Sequence, residues 1–179
     1  GAGGPPGGGR GFGGGGRGGG QAGGRLQLAL YHTWHFRDEV LIRPGLPVLD
    51  LLGGDAVGGR GGQARHELEL RAGVSKDGYG LRLTGDWQSA TRVTGNSGTL
   101  RFSDLATANL RLFANLGQIP ALARQRWAQG ARVTLAVDNI LNARQTVRDA
   151  NGVVPISYQP GYLDPMGRTV RVNLRKLFF

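Results

Sequence analysis

No cysteine occurs anywhere in the 179 residues. Disulfides and thiolate metal centres are therefore excluded, while the compartment stays open, because proteins of several compartments do without the residue. Histidine is nearly as scarce, with only His32, His35 and His66 present. A strand holds a metal with ligands at i and i+2, and the spacing of His32 and His35 sends them to opposite faces. No G-x-S-x-G, P-loop or H-E-x-x-H pattern occurs, so the usual nucleophile elbow, phosphate cradle and zinc helix are missing. No catalytic, metal-ligating or cofactor-binding residue is expected. The longest apolar runs fall far short of the roughly 20 residues that a membrane-crossing helix needs. Acidic side chains are also in deficit, with 12 Asp and Glu against 22 Lys and Arg, a net charge of +10. That excess attracts nucleic acid, anionic lipid or the phosphates of lipopolysaccharide without choosing among them.

Glycine is plentiful instead. Of the 34 glycines, 16 fall within Gly1 to Gly24, "GAGGPPGGGRGFGGGGRGGGQAGG". Glycine loses the most backbone entropy on ordering and offers no side chain to bury, so residues 1–24 are expected to form a disordered loop or linker. The segment resembles RGG-type RNA-binding tails, yet only Arg10 and Arg17 carry charge inside it. A boundary is expected there, with residues 25–179 forming the folded, strand-rich part.

From Arg25 onward apolar residues recur with a period of two, the signature of strands with one apolar face. Leu26, Leu28 and Leu30 share a face, with Trp34 and Phe36 further along. Leu68, Leu70, Ala72 and Val74 oppose Glu67, Glu69 and Arg71. Tyr79, Leu81, Leu83 and Trp87 oppose Arg82, Thr84, Asp86 and Gln88. Ala106, Ala108, Leu110, Leu112 and Ala114 follow, with Phe113 breaking the pattern. Val133, Leu135 and Val137 form a fifth set, and Val170, Val172 and Leu174 a sixth. An antiparallel up-and-down meander of about six strands is the expected all-β fold. Ala121 to Trp127 allows one short helix.

One hairpin fixes its own register. Asp77-Gly78 suits a two-residue type I′ turn. Closing it sets Val74 opposite Leu81, Ala72 opposite Leu83, Leu70 opposite Gly85 and Leu68 opposite Trp87. A slip of one residue would send every apolar side chain to the wrong face. The same register puts Glu69 opposite Asp86, with Arg71 and Arg82 near enough to offset the repulsion. Glu67, Glu69 and Asp86 then read as part of a charge-balanced ladder, not as paired catalytic acids.

The apolar faces could meet a soluble core or lipid. Dense charge on the opposite face favours lipid, because it suits a wet lumen. Aromatic rings sit with the apolar face and gather at strand ends, Tyr79 and Phe178 at one end, Trp34 and Trp87 at the other, as in interfacial girdles. The Asp77-Gly78 turn is short, whereas Pro44 to Gln63 and Ala143 to Pro165 are long. Six strands are too few to close in a bilayer, where barrels start at about eight. Further strands are therefore expected upstream, together with any export signal, since no leader is visible in the sequence.

The stretches "VTLAVDNILNARQTVRDANG" and "YQPGYLDPMGRTVRVNLRKLFF" resemble the C-terminal end of TonB-dependent receptors of the Gram-negative outer membrane. The resemblance lies in the Asn-aliphatic pair and following Asn (Asn139, Ile140, Leu141, Asn142), a long loop, a Gly167-Arg168 step, and a last strand ending in Phe. It implies a roughly 22-stranded transmembrane barrel that imports a scarce nutrient such as a siderophore, cobalamin or a sugar. Phe179, with Phe178, would be the insertion signal read by the barrel-assembly machinery, and the C-terminus would face the periplasm. The TonB complex would be engaged through N-terminal regions not contained in this sequence. Outer loops would carry selectivity for the small-molecule substrate, with Tyr158 and Tyr162 as contacts. One departure is Lys176, which takes a slot where an apolar residue is common; a bulge near Leu177 or snorkelling would accommodate it. The alternatives are another outer-membrane barrel, a pore or adhesin, and a soluble Arg/Gly-rich nucleic-acid-binding protein.

Overall fold

The computed structural model describes residues 24–55, 62–95, 98–164 and 166–178. Most of the described chain is antiparallel β-strand. Six long strands, numbered here in chain order, form one sheet: β1 (Arg25–Trp34), β2 (His66–Lys76), β3 (Tyr79–Gln88), β4 (Leu105–Asn115), β5 (Ala131–Asp138) and β6 (Thr169–Lys176). Each pairs with its sequence neighbours, so the sheet is the up-and-down meander expected from the alternation. It is not closed: β1 pairs only with β2, and β6 only with β5.

The β2–β3 hairpin has the register that its turn dictates. Val74 faces Leu81, Ala72 faces Leu83, Leu70 faces Gly85, Leu68 faces Trp87, and Glu69 faces Asp86. Asp77 and Gly78 both take positive φ, 48° and 86°, as a type I′ turn requires. The other registers continue the same rows. Leu30 meets Leu70, Leu83 meets Leu110, Leu112 meets Leu135, and Val172 meets Leu135 on its other side. All six apolar sets thus fall on one face.

The connections sort by end. Asp77-Gly78 and residues 116–130 lie at one end, the turn end. The described residues of the stretches 35–65, 89–104 and 139–168 lie at the other, the loop end. Residues 121–127 do not form the helix that the sequence allows. They run through successive turns, with a single i+4 bond from Ala123 N to Ile119 O, 2.8 Å.

Above the sheet at the loop end stands a small ribbon, Thr91–Gly95 paired with Gly98–Phe102 and then with Val147–Arg148. Phe102 and Val147 face each other there and are buried. Glu39–Val40 and Leu49–Asp50 form a second, two-stranded ribbon. The Gly-rich segment lies outside the described residues except for Gly24.

Candidate lipid interface and closing strand

The apolar face is bare. Leu28 on β1 is 71% exposed and Val172 on β6 is 70% exposed, and among the described residues no strand or helix packs across this side. Leu83, Leu110, Leu112 and Leu135 in the middle are half-covered. The few buried apolar residues are mainly alanines and the ribbon pair. At the turn end Tyr79, Leu81, Leu112, Val133, Leu135 and Pro120 border an open apolar hollow of about 690 Å³.

Aromatic groups mark both ends of this face. At the loop end the Trp34 ring lies 4.3 Å from Phe36 and 5.4 Å from His66, which stacks on His32 at 5.5 Å. The two imidazoles approach to 3.2 Å through His32 Nε2 and His66 Nδ1. Spacing along β1 could not reveal that pair, because it depends on the β1–β2 register. Among the described residues no cluster of three metal-ligating side chains forms. Trp87 keeps its ring with the apolar face and donates Nε1–H to Asp104 Oδ2 at 3.3 Å. At the turn end stand Tyr79, Trp127 and Phe178, all exposed.

The opposite face is charged. Arg71 pairs with Glu69, as the ladder reading expects, and Glu67 lies 3.7 Å from His35 Nε2. Arg82 forms no such pair among the described residues. Tyr31 and Phe113 also lie on this side, under the guanidinium groups of Arg71 (5.5 Å) and Arg132 (4.4 Å). The expectation that rings keep to the apolar face is thereby corrected for these two. Phe113 breaks the alternation for a local reason. It faces Gly80 across the strands, and its ring occupies the space a Cβ on Gly80 would need. Beyond the sheet, the Arg37 guanidinium donates to Glu39 Oε2 at 2.6 Å, and that hydrogen bond holds the carboxyl below its usual pKa range.

The closing strand is fastened at both ends. Asn139 and Asn142 both adopt left-handed backbone, at φ 50° and 51°, a conformation Asn tolerates better than most residues. Asn139 is nearly buried. Its N–H donates to Asn109 Oδ1 at 2.9 Å, while its side chain bridges the Ala143 backbone at 2.8 and 2.9 Å. Asn142 Oδ1 accepts from Arg168 N at 3.1 Å, and a Cβ on Gly167 would come within 2.7 Å of that same oxygen. Gly167 itself takes a positive φ of 58°, and this left-handed backbone together with the close approach favours glycine there. Asp164 supplies the turn, accepting from Gly167 N at 2.9 Å. Pro165 lies outside the described residues. Asp138 pairs with Arg171, and Thr169 Oγ1 lies 3.3 Å from Asp138 Oδ2.

At the other end Lys176 resolves the sequence departure without a bulge. Its register with Ala131 holds, and its ammonium donates to the backbone carbonyls of Arg126, Trp127 and Gln129. Leu177 N then bonds Gly130 O at 3.0 Å. Phe178 is 88% exposed beside Lys176, and Phe179 lies outside the described residues.

Of the two loop tyrosines, Tyr158 packs edge-on against Phe102 at 5.6 Å, and Tyr162 is 77% exposed. The structure does not bring them together on a common pocket among those described. No helix of the described residues is long and apolar enough to cross a membrane. No family model matches the chain, and no curated protein or solved structure matches it either.

Proposed function

We propose that this chain is six strands of a larger outer-membrane β-barrel, and that the barrel is a TonB-dependent receptor that imports a scarce nutrient. The single observation that carries the membrane part is the continuous, uncovered apolar face across all six strands, backed by a charged face. In water such a face would be costly, since each buried aliphatic side chain gains about 1.5–3 kcal/mol that here stays unrealised. In a bilayer it is the expected arrangement, with the charged wall turned to a wet lumen. Strands of this length, at roughly 3.3 Å per residue, suit a tilted crossing. The open edges at β1 and β6 must then be met by other strands, because unpaired backbone is not viable in hydrocarbon. The turn end, which also carries Phe178, is on this reading the periplasmic side.

The receptor part rests on the sequence resemblance, to which the fastening of Asn139, Asn142, Gly167 and Arg168 gives a physical meaning. On this reading the chain has no catalytic role. Its partners are lipid, lipopolysaccharide, the assembly machinery that reads Phe178 and Phe179, and the substrate.

The test uses the full chain with phosphatidylcholine vesicles carrying brominated acyl chains. Trp34 and Trp87 fluorescence is expected to be quenched, more by bromine near the headgroup than near the chain end. A monomeric chain that unfolds cooperatively in detergent-free buffer, with no quenching, overturns the membrane reading. The genomic sequence upstream decides between receptor and other barrels: a plug domain supports the former, and its absence removes it.

A further inference from the structure

The charged wall is not evenly balanced. Arg82 and Arg111 are direct cross-strand partners, and their outer neighbours in the same row are Gly73 and Ala136. Like charges placed opposite each other across a strand pair repel, and neither neighbour offers a side chain to screen them. Among the described residues neither arginine has a carboxylate partner; the ion pairs of the sheet are Arg71–Glu69 and Arg171–Asp138. Within the six-stranded sheet the other facing arginine pair, Arg132 and Arg175, differs because Arg132 is spread over the Phe113 ring.

The row alongside supplies neutral donors. Thr84 and Asn109 face each other one step along the same strands. Asn109 has its amide direction fixed: Oδ1 accepts from Asn139 N at 2.9 Å, so Nδ2 points its hydrogens elsewhere, with no partner among the described residues. Arg82, Thr84, Asn109 and Arg111 line one hollow of about 290 Å³, whose only acid, Asp138, is already held by Arg171 and Thr169. A second hollow of about 390 Å³ adjoins it through Arg82 and Thr84 and opens over Gly73. Two positive charges without a carboxylate partner, a hydroxyl and an amide N–H₂ therefore line one space, whose single carboxylate has Oδ2 engaged by Arg171 and Thr169.

We propose that this block is an anion site, built for a small oxyanion carrying close to two negative charges, a phosphate monoester or a dicarboxylate. Arginine forks match both groups in a bidentate manner, and Asn109 and Thr84 complete the donor set. The site needs only the polar wall of the sheet. It stands whether the other face meets lipid or not, so the vesicle experiment above and the one below fail independently.

The experiment titrates inorganic phosphate, and separately succinate, into the ¹⁵N-labelled full chain at constant ionic strength set with chloride. The chain is kept in detergent micelles, or in buffer should it fold there. Backbone amide shifts at Gly73, Arg82, Thr84 and Arg111 are followed. Saturable shifts confined to this block are expected. Arg82→Gln and Arg111→Gln should each weaken binding about tenfold, the scale of one charge-assisted bidentate contact. Arg25→Gln, the same charge change elsewhere on the wall, should leave it unaltered. Gly73→Glu is the sharper variant: a Cβ there meets only Leu81 O at 3.7 Å, so a carboxylate can be placed opposite Arg82 without a clash. It should abolish the phosphate response while the fold is kept. Tighter phosphate binding assigns the phosphate ester class, and tighter succinate binding the dicarboxylate class. Linear, unsaturated shifts with both anions, or equal binding by wild type, Arg82→Gln and Gly73→Glu, overturn the site.

Discussion

The ribbon above the sheet and the sheet itself follow opposite rules of burial. In the ribbon, Phe102 packs against Val147 and the edge of Tyr158, and both Phe102 and Val147 are buried. In the sheet, leucines and valines of β1 and β6 are mostly exposed, and nothing lies across them. Both regions come from one chain with similar residues, so composition does not explain the contrast. On the membrane reading proposed above, the two regions are shaped for different surroundings, water around the ribbon and an apolar medium against the sheet.

The largest expected effect breaks the ribbon. Phe102→Ala should cost about 3–5 kcal/mol of local stability, as for other buried aromatics. Hydrogen exchange at ribbon amides reads it directly, and β2–β3 protection should stay unchanged. A loss under ~1 kcal/mol would mean the ribbon has no core of its own. Next comes Leu83→Arg, midway along β3 on the bare face. In vesicles it should destabilise by about 2–4 kcal/mol, the cost of a charge near the bilayer midplane, read by urea titration of vesicle-bound chain. Without lipid the same change should be near neutral, and equal costs in both media would erase the contrast. The smallest effect belongs to the fastening between the two regions. Asn139→Ala leaves the Ala143 N–H and C=O without their side-chain partner, for about 1–3 kcal/mol, while the backbone bond from Asn139 N to Asn109 is kept. Faster exchange at Ile140, Ala143 and Arg168 is the measurement.

Local chemistry made the sheet legible. The alternation of Leu26 to Leu30, or of Val133 to Val137, is a strand signal that needs no distant partner. Asp77-Gly78 fixes the facing residues on either side because the turn lets the strands close in only one way. What escaped depends on separated segments. The ribbon joins Val147 to Phe102 across β5, and two-residue strands carry no period. Phe113 breaks the alternation because Gly80, which leaves room for its ring, lies opposite on another strand. The Arg82–Arg111 block required the β3–β4 register, which no tight turn announces. The slot of Lys176 is explained only by carbonyl partners in a turn stretch about fifty positions back along the chain.

Those two fastenings also answer a problem that hydrophobicity leaves open. Sliding the last strand along β5 by two positions would keep every greasy side chain on the correct side, so alternation cannot forbid it. The slide would, however, pull Arg168 away from Asn142 and withdraw the ammonium of Lys176 from its ring of oxygens at the same stroke. A bolt at each end therefore decides which of several equally oily alignments becomes the finished seam, and presents Phe178 at one defined height.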